Sequence, residues 1–528
     1  MGFQCSTSVL LPLLFSSFLS LSSASTSPED FNQCLSDGTK TSTIEILYSP
    51  DNNSYTSIFD YSTQNLRFTT PTTLKPEFII TPLQPSHIQA AVICSKKHGF
   101  QLRVRSGGHD YNGLSYTSTQ PFVLIDLINF RDINVDIQDN TAWVQAGATT
   151  GELHYRIAQK SNTHGFPTSI CTTVGVGGLI GGGGIGFLWR KYGLSADNIL
   201  DAFIVDVNGN LLDRKSMGED LFWAIRGGGG ASFGVIVSWK IQLVRVPPIV
   251  TVFRVPKTIE QGSISLLHKW QNVAHNFPKD IHFLTISRAV QGEKGRTIQT
   301  DFEAVFQGRR EDLLTLMENK FPELGLKTED CTEMSWVNST MYVNYLNGPA
   351  EALLNRVPSR SYWKGGSDFV KQAISKNDLE QVFEVMLELG EEYTSGMIVT
   401  EPMGGRNEEI SESFTPFPHR KGYMFMIQYN LNWQNVDDSS RYLAAARRLY
   451  DFMTPLVSKS PRSSYFNYRD LNVGANRDVN TSYEEARGWG NAYFKGNFER
   501  LALVKALVDP ENYFWSEQSI PPKLRMEY

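Results

Sequence analysis

RVRSGGHDYNGLSY at residues 103–116 and ICTTVGVGG at residues 170–178 are the two stretches that decide the fold of this 528-residue chain. In the first stretch, Ser106, Gly107 and Gly108 can turn bare backbone N–H groups toward a phosphate group, as anion-binding nests do. His109 leaves that turn toward the bound group. A lone turn histidine is usually held by local hydrogen bonds, but here Cys171 opens a second glycine loop that can line the opposite side of the same ligand. The two stretches therefore indicate one binding site built from two loops.

The glycine tract that follows raises an alternative interpretation. It holds eight glycines in twelve residues, and Gly181, Gly183 and Gly186 formally satisfy the GxGxxG pattern of dinucleotide-binding folds. Asp206 stands at the end of a strand-like run further on, where an acidic residue is required. The fingerprint should follow a buried strand directly, whereas here it follows HGFPTSICTTVGVGG, which proline and further glycines interrupt. We therefore expect no Rossmann unit.

The order of short β-rich runs and amphipathic helices predicts an α+β protein. From about Pro76 to Leu243, runs such as QLRVRSGG and FVLIDL alternate with helices and glycine loops. After the doublet Pro247-Pro248, helices such as DLEQVFEVMLELGEEY alternate with strands such as TIQTDFEAVFQG and GYMFMIQYNLNW. This second pattern indicates an antiparallel sheet covered by helices. The segment from residue 461 to residue 528 is expected to pack back on the first part.

Residues 1–24 are typical of a signal peptide. Their apolar run, VLLPLLFSSFLSLSSA, is too short and too rich in serine to span a bilayer, and small residues suited to cleavage follow it. No later segment reaches the roughly 18 uninterrupted apolar residues of a membrane helix. We expect a protein of the secretory pathway, with the extracellular space (apoplast), the vacuole and vesicles derived from the endoplasmic reticulum as candidate compartments.

Cysteine usage agrees with export. Removal of the leader takes away Cys5 and leaves Cys34, Cys94, Cys171 and Cys331, which allow three pairings. A bridge between Cys34 and Cys94 would join the N-terminal tail to the first part of the chain. Three sequons would be open to glycosylation in that pathway, at Asn52, Asn338 and Asn480.

The overall composition limits the partners. The chain is 41% hydrophobic and 12% aromatic, which is enough to bury more than one core. Its formal charge is -6 and its Lys and Arg residues are dispersed, so it has no general attraction for nucleic acid or anionic membranes. We expect a monomer without a metal site that acts on a small, mostly neutral molecule.

The motifs resemble those of the berberine bridge enzyme-like (reticuline oxidase-like) family of plant FAD-linked oxidases, which has the vanillyl-alcohol-oxidase or PCMH-type FAD-binding fold. The resemblance spans the mature chain, from FNQCL through RSGGHDY, CTTVGVGG and NYRDLN to VDPENYFWSEQSIPP. It implies a two-part FAD-binding domain over residues 25–247, with its PCMH-type core at about 75–247. It further implies a substrate-binding domain over residues 248–460, a C-terminal segment over residues 461–528, and a disulfide between Cys34 and Cys94.

The resemblance implies that FAD is attached covalently at two points, through His109 to the flavin 8α-methyl group and through Cys171 to C6. Two anchors would hold the flavin ring without burying it and would leave room for a bulky substrate. Further residues expected to contact FAD lie in the same two loops: Arg105, Ser106, Gly107, Gly108, Asp110, Val174, Gly175, Gly177 and Gly178.

The catalytic residues implied by the resemblance are Tyr468, of the motif NYRD, as the base, and Gln428 as the residue that orients the substrate. A tyrosinate base requires a nearby cation or hydrogen bonds that lower the pKa of Tyr468 from about 10. Berberine bridge enzyme itself is thought to use a carboxylate on the strand MFMIQYNLNW, and none is present there. Period-two alternation places five residues of this strand on one face: Met424, Met426, Gln428, Asn430 and Asn432. A polar residue at a sheet surface is the alternative interpretation of Gln428.

Val174 matches the position that in this family resembles an oxygen gate, where Val permits and Leu hinders access of O2; simple loop packing is the alternative. The chain also departs from the usual family motifs near the flavin. It has Asn112 in place of Glu, Thr172 in place of Pro, Leu179 in place of His and Ile185 in place of Tyr. The substrate class therefore cannot be transferred from the motifs alone.

These features predict a secreted FAD-dependent oxidase of a plant specialised metabolite, with an alkaloid intermediate as the first candidate substrate. Hydride would pass to flavin N5, and O2 would reoxidise the flavin to give hydrogen peroxide. Monolignol and carbohydrate oxidation are alternatives within the same chemistry. A third alternative is a flavin-retaining enzyme that catalyses cyclisation or cycloaddition without net oxidation, which the altered flavin loops suggest.

Overall fold

The fold is described from a computed structural model, which covers residues 28–40, 43, 45–357, 360–389 and 396–524. The expected signal peptide lies outside these residues. Among the residues described, none of the helices combines the length and the apolar character needed to cross a membrane.

The first sheet has the strand order β1-β2-β4-β3, in which β4 runs parallel to both β2 and β3. All three residues of β2 and all five of β4 are buried, which agrees with the coverage of parallel strands on both faces. The strands are β1 (Leu47–Tyr48), β2 (Phe78–Ile80), β3 (Gln101–Arg105) and β4 (Phe122–Asp126), and the accompanying helices are α1 (Pro28–Thr39), α2 (Tyr55–Tyr61) and α3 (Pro85–Lys97).

The second sheet is antiparallel and has the order β5-β6-β10-β8-β9, beside a two-stranded ribbon of β7 and β11. The glycine tract lies in the connection between β7 and β8, where the short helix α5 follows the loop of Cys171. The strands are β5 (Ile133–Asp136), β6 (Thr141–Gln145), β7 (His164–Gly165), β8 (Ile199–Val205), β9 (Leu211–Leu212), β10 (Val235–Gln242) and β11 (Val244–Arg245), and the helices are α4 (Thr150–Ala158), α5 (Val176–Gly181), α6 (Trp189–Tyr192) and α7 (Arg214–Ile225).

The third sheet is a seven-stranded antiparallel sheet with the order β15-β12-β14-β13-β17-β18-β16. One of its faces packs on helices through an apolar cluster that includes Phe283, Ile427 and Leu431, and the opposite face meets the glycine-rich part of the chain. The strands are β12 (Val250–Thr258), β13 (Ile281–Gly292), β14 (Gly295–Phe306), β15 (Cys331–Met334), β16 (Tyr362–Val370), β17 (Met397–Pro402) and β18 (Phe425–Trp433). The helices of this region are α8 (Ser263–Val273), α9 (Arg310–Lys320), α10 (Trp336–Val343), α11 (Lys376–Glu388), α12 (Arg406–Glu409) and α13 (Ser439–Met453).

The C-terminal helices α14 (Tyr483–Phe494) and α15 (Asn497–Val508) return to the first part of the chain. Trp489 and Phe498 belong to the same buried cluster as Ile125 and Trp239 of the first two sheets. This contact agrees with the packing expected for the C-terminal segment, and the exact domain boundaries stay predictions.

The architecture confirms the α+β class and excludes the Rossmann alternative. Gly181 ends a six-residue helix, and no strand of the described chain leads directly into the GxGxxG run. Asp206 caps its own tight turn, because its Oδ1 accepts the backbone N–H groups of Asn208 and Asn210 at 2.9 and 2.8 Å. The match to the pattern is therefore a product of glycine richness.

Candidate active site

Arg105 ends β3 and leads into the first glycine turn. Its side chain is fully buried, donating to Asp126 Oδ2 at 2.7 Å and to the carbonyl of Phe59 in α2 at 2.6 Å. A charge buried in this way needs a partner that satisfies it, and Asp126 supplies one. Arg105 therefore lies behind the turn and fastens it to the first sheet.

The turn itself requires small residues. Gly108 has φ +70°, and a Cβ there would lie 1.8 Å from the carbonyl oxygen of Ser62. Ser106 Oγ donates to the carbonyl of Ala146 at 2.6 Å, which fixes the turn against the end of the second sheet. Both the left-handed conformation and the close approach exclude a side chain at Gly108.

The second glycine loop packs directly on the first. A Cβ at Gly107 would lie 2.3 Å from the backbone nitrogen of Gly175 and 2.8 Å from the carbonyl oxygen of Thr173. The N-terminus of α4 holds the same loop from the other side, because Thr150 donates through its hydroxyl to the carbonyl of Cys171 at 2.7 Å and through its backbone to that of Val174 at 2.9 Å. The two loops predicted from the sequence thus form one continuous backbone surface.

Both proposed flavin anchors contact one hydroxyl group. Thr173 Oγ1 lies 2.9 Å from His109 Nε2 and 3.6 Å from Cys171 Sγ. Cys171 is an exposed free thiol, and the loss of solvent around the imidazole lowers the pKa of His109 to about 4, against a backbone hydrogen bond to Thr173 that raises it. A neutral imidazole and an accessible thiol, side by side, are two nucleophiles facing one space.

Other residues of the second loop lie at different depths. Val174 is half-buried, whereas Gly178 is exposed and a Cβ there would meet nothing within 4 Å. A Cβ at Gly177 would lie 2.7 Å from the carbonyl oxygen of Ala146, so this glycine allows close packing on the second sheet. Of these two glycines, Gly178, in the first turn of α5, is the one whose exposed side leaves room for a ligand.

The turn containing NYRD docks on the loop that follows His109. Arg469 Nε donates to Asp110 Oδ2 at 2.8 Å, and a second bond joins Arg469 Nη2 to the same oxygen. Asn112 Nδ2 donates to the carbonyl of Arg469 at 2.7 Å, a bond that the Glu usual at this position could not donate when ionised. Asp110 thus acts here as the docking point that brings Tyr468 beside the glycine loops.

Tyr468 and Gln428 are brought together by Tyr111, a residue that the sequence analysis did not single out. The rings of Tyr111 and Tyr468 stack with centroids 5.3 Å apart, and Gln428 Nε2 donates to the hydroxyl of Tyr111. Gly365 on β16 makes room for the Tyr111 ring, because a Cβ there would lie 2.5 Å from it. The position of Tyr111, two residues after His109 in the same motif, was the signal available in the sequence.

The expected lowering of the Tyr468 pKa is wrong for the described chain. Burial raises the pKa of Tyr468 well above its usual value, and the charge of Glu401 and the neighbouring Tyr111 and Tyr465 raise it further. Among the described residues that shift the pKa of Tyr468, none is a cation. Tyr468 is therefore protonated at neutral pH in this environment, and its assignment as the base stays a prediction.

Glu401 is a second residue that the sequence analysis missed. It lies on β17 opposite Met426 of β18, is 2% exposed, and places Oε2 3.5 Å from His282 Nε2. The strand MFMIQYNLNW lacks a carboxylate, as noted from the sequence, but the neighbouring strand supplies one to the same face. Strand pairing, which the sequence pattern does not specify, was needed to find it.

Two of the four departures from the family motifs, Leu179 and Ile185, are accommodated by apolar packing. Ile185 is buried with Trp189 and Tyr465 in one cluster, and Leu179 is 7% exposed. The backbone near them is held by the C-terminal turn, because Asn467 Nδ2 donates to the carbonyl of Leu179 at 2.9 Å. Side chains that could hydrogen-bond are thus replaced at these two positions by side chains that only pack.

The Cys34–Cys94 disulfide is present, with a Cα–Cα distance of 5.9 Å, and it joins α1 to α3. Cys331 is free and buried. All three sequon asparagines are exposed, and their glycosylation stays a prediction: Asn52, Asn338 and Asn480.

The residues present fit FAD on two observations. The paired glycine loops leave backbone uncovered at Gly178, where a Cβ would meet nothing within 4 Å, as a phosphate-bearing ligand requires. His109 and Cys171 supply nucleophiles of the two kinds that form stable bonds to carbon.

The comparisons with known proteins agree with this class of site. The family model "FAD binding domain" matches residues 76–214, and "Berberine and berberine like" matches residues 464–521. A tetrahydroberberine oxidase of Berberis wilsoniae is 50% identical over 518 residues, which are 96% of this chain and 97% of that protein. An O-acetylstemmadenine oxidase of Catharanthus roseus is 48% identical, over 97% of this chain and 98% of that protein. The solved structure of wild-type Phl p 4.0202, a glucose dehydrogenase, is 44% identical with a TM-score of 0.89, over 94% of this chain and all of that one.

Fold, site and sequence matches together define an FAD-linked oxidoreductase. The chain belongs to the berberine bridge enzyme-like family, and it is an FAD-dependent oxidase of specialised metabolism.

Proposed function

We propose that this enzyme holds its FAD through two covalent bonds, one to His109 and one to Cys171, and oxidises an amine-containing specialised metabolite with O2 as the final electron acceptor. The observation that carries the two-anchor proposal is the shared contact of both side chains with Thr173. When bound, FAD supplies the acceptor for a hydride taken from the substrate. The protein's own residues must then bind, orient and deprotonate that substrate.

The neutral state of His109 supports attachment at this residue. Because burial lowers its pKa to about 4, the imidazole carries a free lone pair at neutral pH and can form a bond to carbon. The exposure of Cys171 provides the matching access for the thiol. Thr173 orients both side chains through its hydroxyl.

The tyrosine and glutamine side chains orient the substrate. Gln428 donates to Tyr111, and Tyr111 stacks on Tyr468, so the three groups form one hydrogen-bonded and stacked unit on the face of the third sheet. Tyr468 is protonated at neutral pH and can donate a hydrogen bond to the substrate. It can act as a proton acceptor only after losing its own proton. The half-buried Val174 supports the proposed access of O2 beside the anchors.

The substrate class is proposed from the relatives. The proteins that are 50% and 48% identical are named tetrahydroberberine oxidase and O-acetylstemmadenine oxidase, which are oxidases of alkaloid metabolism. Alkaloids are nitrogen bases, and an amine is therefore proposed as the substrate class of this enzyme. A secretory location is proposed from the leader sequence, the disulfide and the three exposed sequons, and a monomeric state from the composition.

Measurement of intact mass and absorption spectrum of the purified protein tests the two anchors. Single variants His109→Ala and Cys171→Ala are each expected to keep one covalent bond and a shifted flavin spectrum, and the double variant none. Cys331→Ala is the matched control, because it removes a free but buried thiol in β15 and should leave both bonds intact. Covalent flavin in the double variant would overturn the proposal.

Peroxide formation tests the oxidase chemistry and the acceptor. Substrate oxidation under air should release one hydrogen peroxide for each pair of electrons taken from the substrate, and under strict anaerobiosis the flavin should bleach and turnover should stop. Continued product formation with oxidised flavin in the absence of O2 would instead establish the non-oxidative cyclisation chemistry.

A further inference from the structure

One buried carboxylate in the described part of the chain has no Lys or Arg partner. The described chain buries eight Asp and Glu residues, and seven of them have a Lys or Arg within 4.0 Å. The exception is Glu401, whose ionic neighbour at that distance among the described residues is His282. The paired acids are Asp126, Glu152, Asp301, Glu303, Asp368, Asp470 and Asp509.

His282 does not neutralise Glu401. Trp189 Nε1 donates to His282 Nδ1 at 3.1 Å, so Nδ1 is an acceptor and the single proton of the ring lies on Nε2, toward Glu401. Burial lowers the pKa of His282, and Glu401 only partly opposes this effect. The imidazole is therefore neutral at physiological pH. Arg190, which also acts on His282, donates to the backbone carbonyls of Ile281 and Phe277. His282 therefore supplies no positive charge to Glu401, and the guanidinium of Arg190 is bonded to backbone carbonyls instead.

Glu401 lies on the substrate side of the sheet. It pairs in register with Met426, and Val399, two residues earlier on β17, pairs with Gln428. Directly paired residues of antiparallel strands project to the same face, so Glu401, Met426 and Gln428 share one face. Gln428 is bonded to Tyr111, and this face is therefore the one that carries the tyrosines.

Three tyrosines lie within the electrostatic reach of Glu401. The pKa values of Tyr111, Tyr465 and Tyr468 are raised first by burial, and in each case the charge of Glu401 raises them further. Tyr468 stacks on Tyr111 and meets Tyr465 edge to face, with centroids 5.0 Å apart. Aromatic faces beside an unpaired carboxylate are the groups that proteins use to bind an ammonium ion.

We propose that Glu401 and the tyrosine cluster (Tyr111, Tyr465 and Tyr468) bind the protonated amine of the substrate, with Glu401 as its counter-ion and proton acceptor. This inference rests on the proposed function and makes it specific. The ammonium proton passes to Glu401 and frees the nitrogen lone pair. The adjacent C–H bond then breaks, its electron pair leaves as hydride to FAD, and a C=N bond forms. A neutral alcohol or sugar would leave Glu401 without a counter-ion. The charge of Glu401 therefore favours a cationic substrate over the mostly neutral one that the composition suggested.

Equilibrium binding to the flavin-loaded enzyme tests the proposal without relying on turnover. The two probes are N,N-dimethyl-1,2,3,4-tetrahydroisoquinolinium, which carries a fixed positive charge and cannot be oxidised to an iminium ion, and isochroman, a neutral molecule with the same fused ring skeleton. Calorimetry and flavin absorbance would give both dissociation constants. We expect the wild-type protein to prefer the cation, and Glu401→Gln to weaken cation binding by roughly 10- to 100-fold while isochroman binding changes by less than about twofold.

Two further variants keep the result interpretable. Glu388→Gln removes an exposed carboxylate from α11 and is the matched control, expected to change neither constant. Glu401→Asp retains the charge and should retain most of the preference for the cation even if Glu401→Gln fails to load flavin. A wild-type enzyme without preference for the cation, or an equal loss for both probes in Glu401→Gln, would overturn the inference. Failure of the proposed function would be recognised separately, by a colourless protein or by the absence of peroxide with every substrate.

Discussion

Replacement of Gly107 by alanine tests whether the two glycine loops touch as described. The added Cβ would lie 2.3 Å from the backbone nitrogen of Gly175, and real Cβ atoms rarely approach other atoms more closely than 3.4 Å. The loops must therefore separate by about 1 Å, and because the clashing atoms are backbone, no side-chain rotation relieves the contact. Overpacking of this kind costs about 1–3 kcal/mol and occasionally more.

The expected outcome has a thermal and a spectroscopic part. At about 2–4 °C per kcal/mol for a cooperative unit of 150–250 residues, a cost of ~3 kcal/mol lowers Tm by roughly 6–12 °C. Because His109 lies two residues from the clash, covalent flavin content should fall as well. Differential scanning fluorimetry and intact mass would measure the two effects. Gly488→Ala, at an exposed position of α14 with nothing within 4 Å, is the control and should be neutral or stabilising by up to about 1 kcal/mol. A wild-type Tm and full flavin content in Gly107→Ala would refute the contact.

Two further predictions concern the ligand side of the loops and the response to acid. Gly178→Ala adds a Cβ that meets no protein atom within 4 Å, so we expect an unchanged fold but reduced flavin content, and full flavin loading would show that FAD does not pass close to Gly178. Burial lowers the pKa of His154 to about 4 from an unfolded value of 6.5, so the neutral form is favoured by folding and stability must fall as pH drops from 6.5 toward 4, by about 3 kcal/mol. His154→Phe should flatten this decline in urea unfolding measured across that range, whereas an identical pH dependence in both proteins would contradict the assignment.

The chemistry-bearing loops could be predicted from the sequence because their requirements are local. A turn that carries Ser106, Gly107 and Gly108 before a histidine, and a glycine loop that begins at a cysteine, each indicate a ligand through the conformations glycine alone adopts. The disulfide was also accessible, since the resemblance implied Cys34–Cys94. The structure confirms that pairing and brings His109 and Cys171 to one threonine.

The substrate side of the site could not be predicted in the same way. Tyr468 and Gln428 lie in motifs that the sequence shows directly. The sign of the pKa shift of Tyr468, however, depends on burial and on Glu401, which lies on β17, far from Tyr468 in the sequence. The sequence analysis looked for a carboxylate along one strand and found none. The register of β17 against β18 places one beside Met426, a relation between distant residues that period-two alternation cannot express.

The amino-acid sequence by itself therefore determined the α+β class, the exclusion of a Rossmann unit and the two glycine loops proposed to hold FAD, because these follow from glycine conformation, periodicity and residue chemistry along short stretches. Only the tertiary structure decided which groups lie on the face of the third sheet that carries Gln428. Sheet register placed Glu401 on the face that carries Gln428, burial lowered the pKa of His282 and raised that of Tyr468, and each of these is set by contacts between residues far apart in the chain. The pKa values of buried groups depend on the assembled fold, because burial removes the water that would otherwise stabilise the charged form of each group.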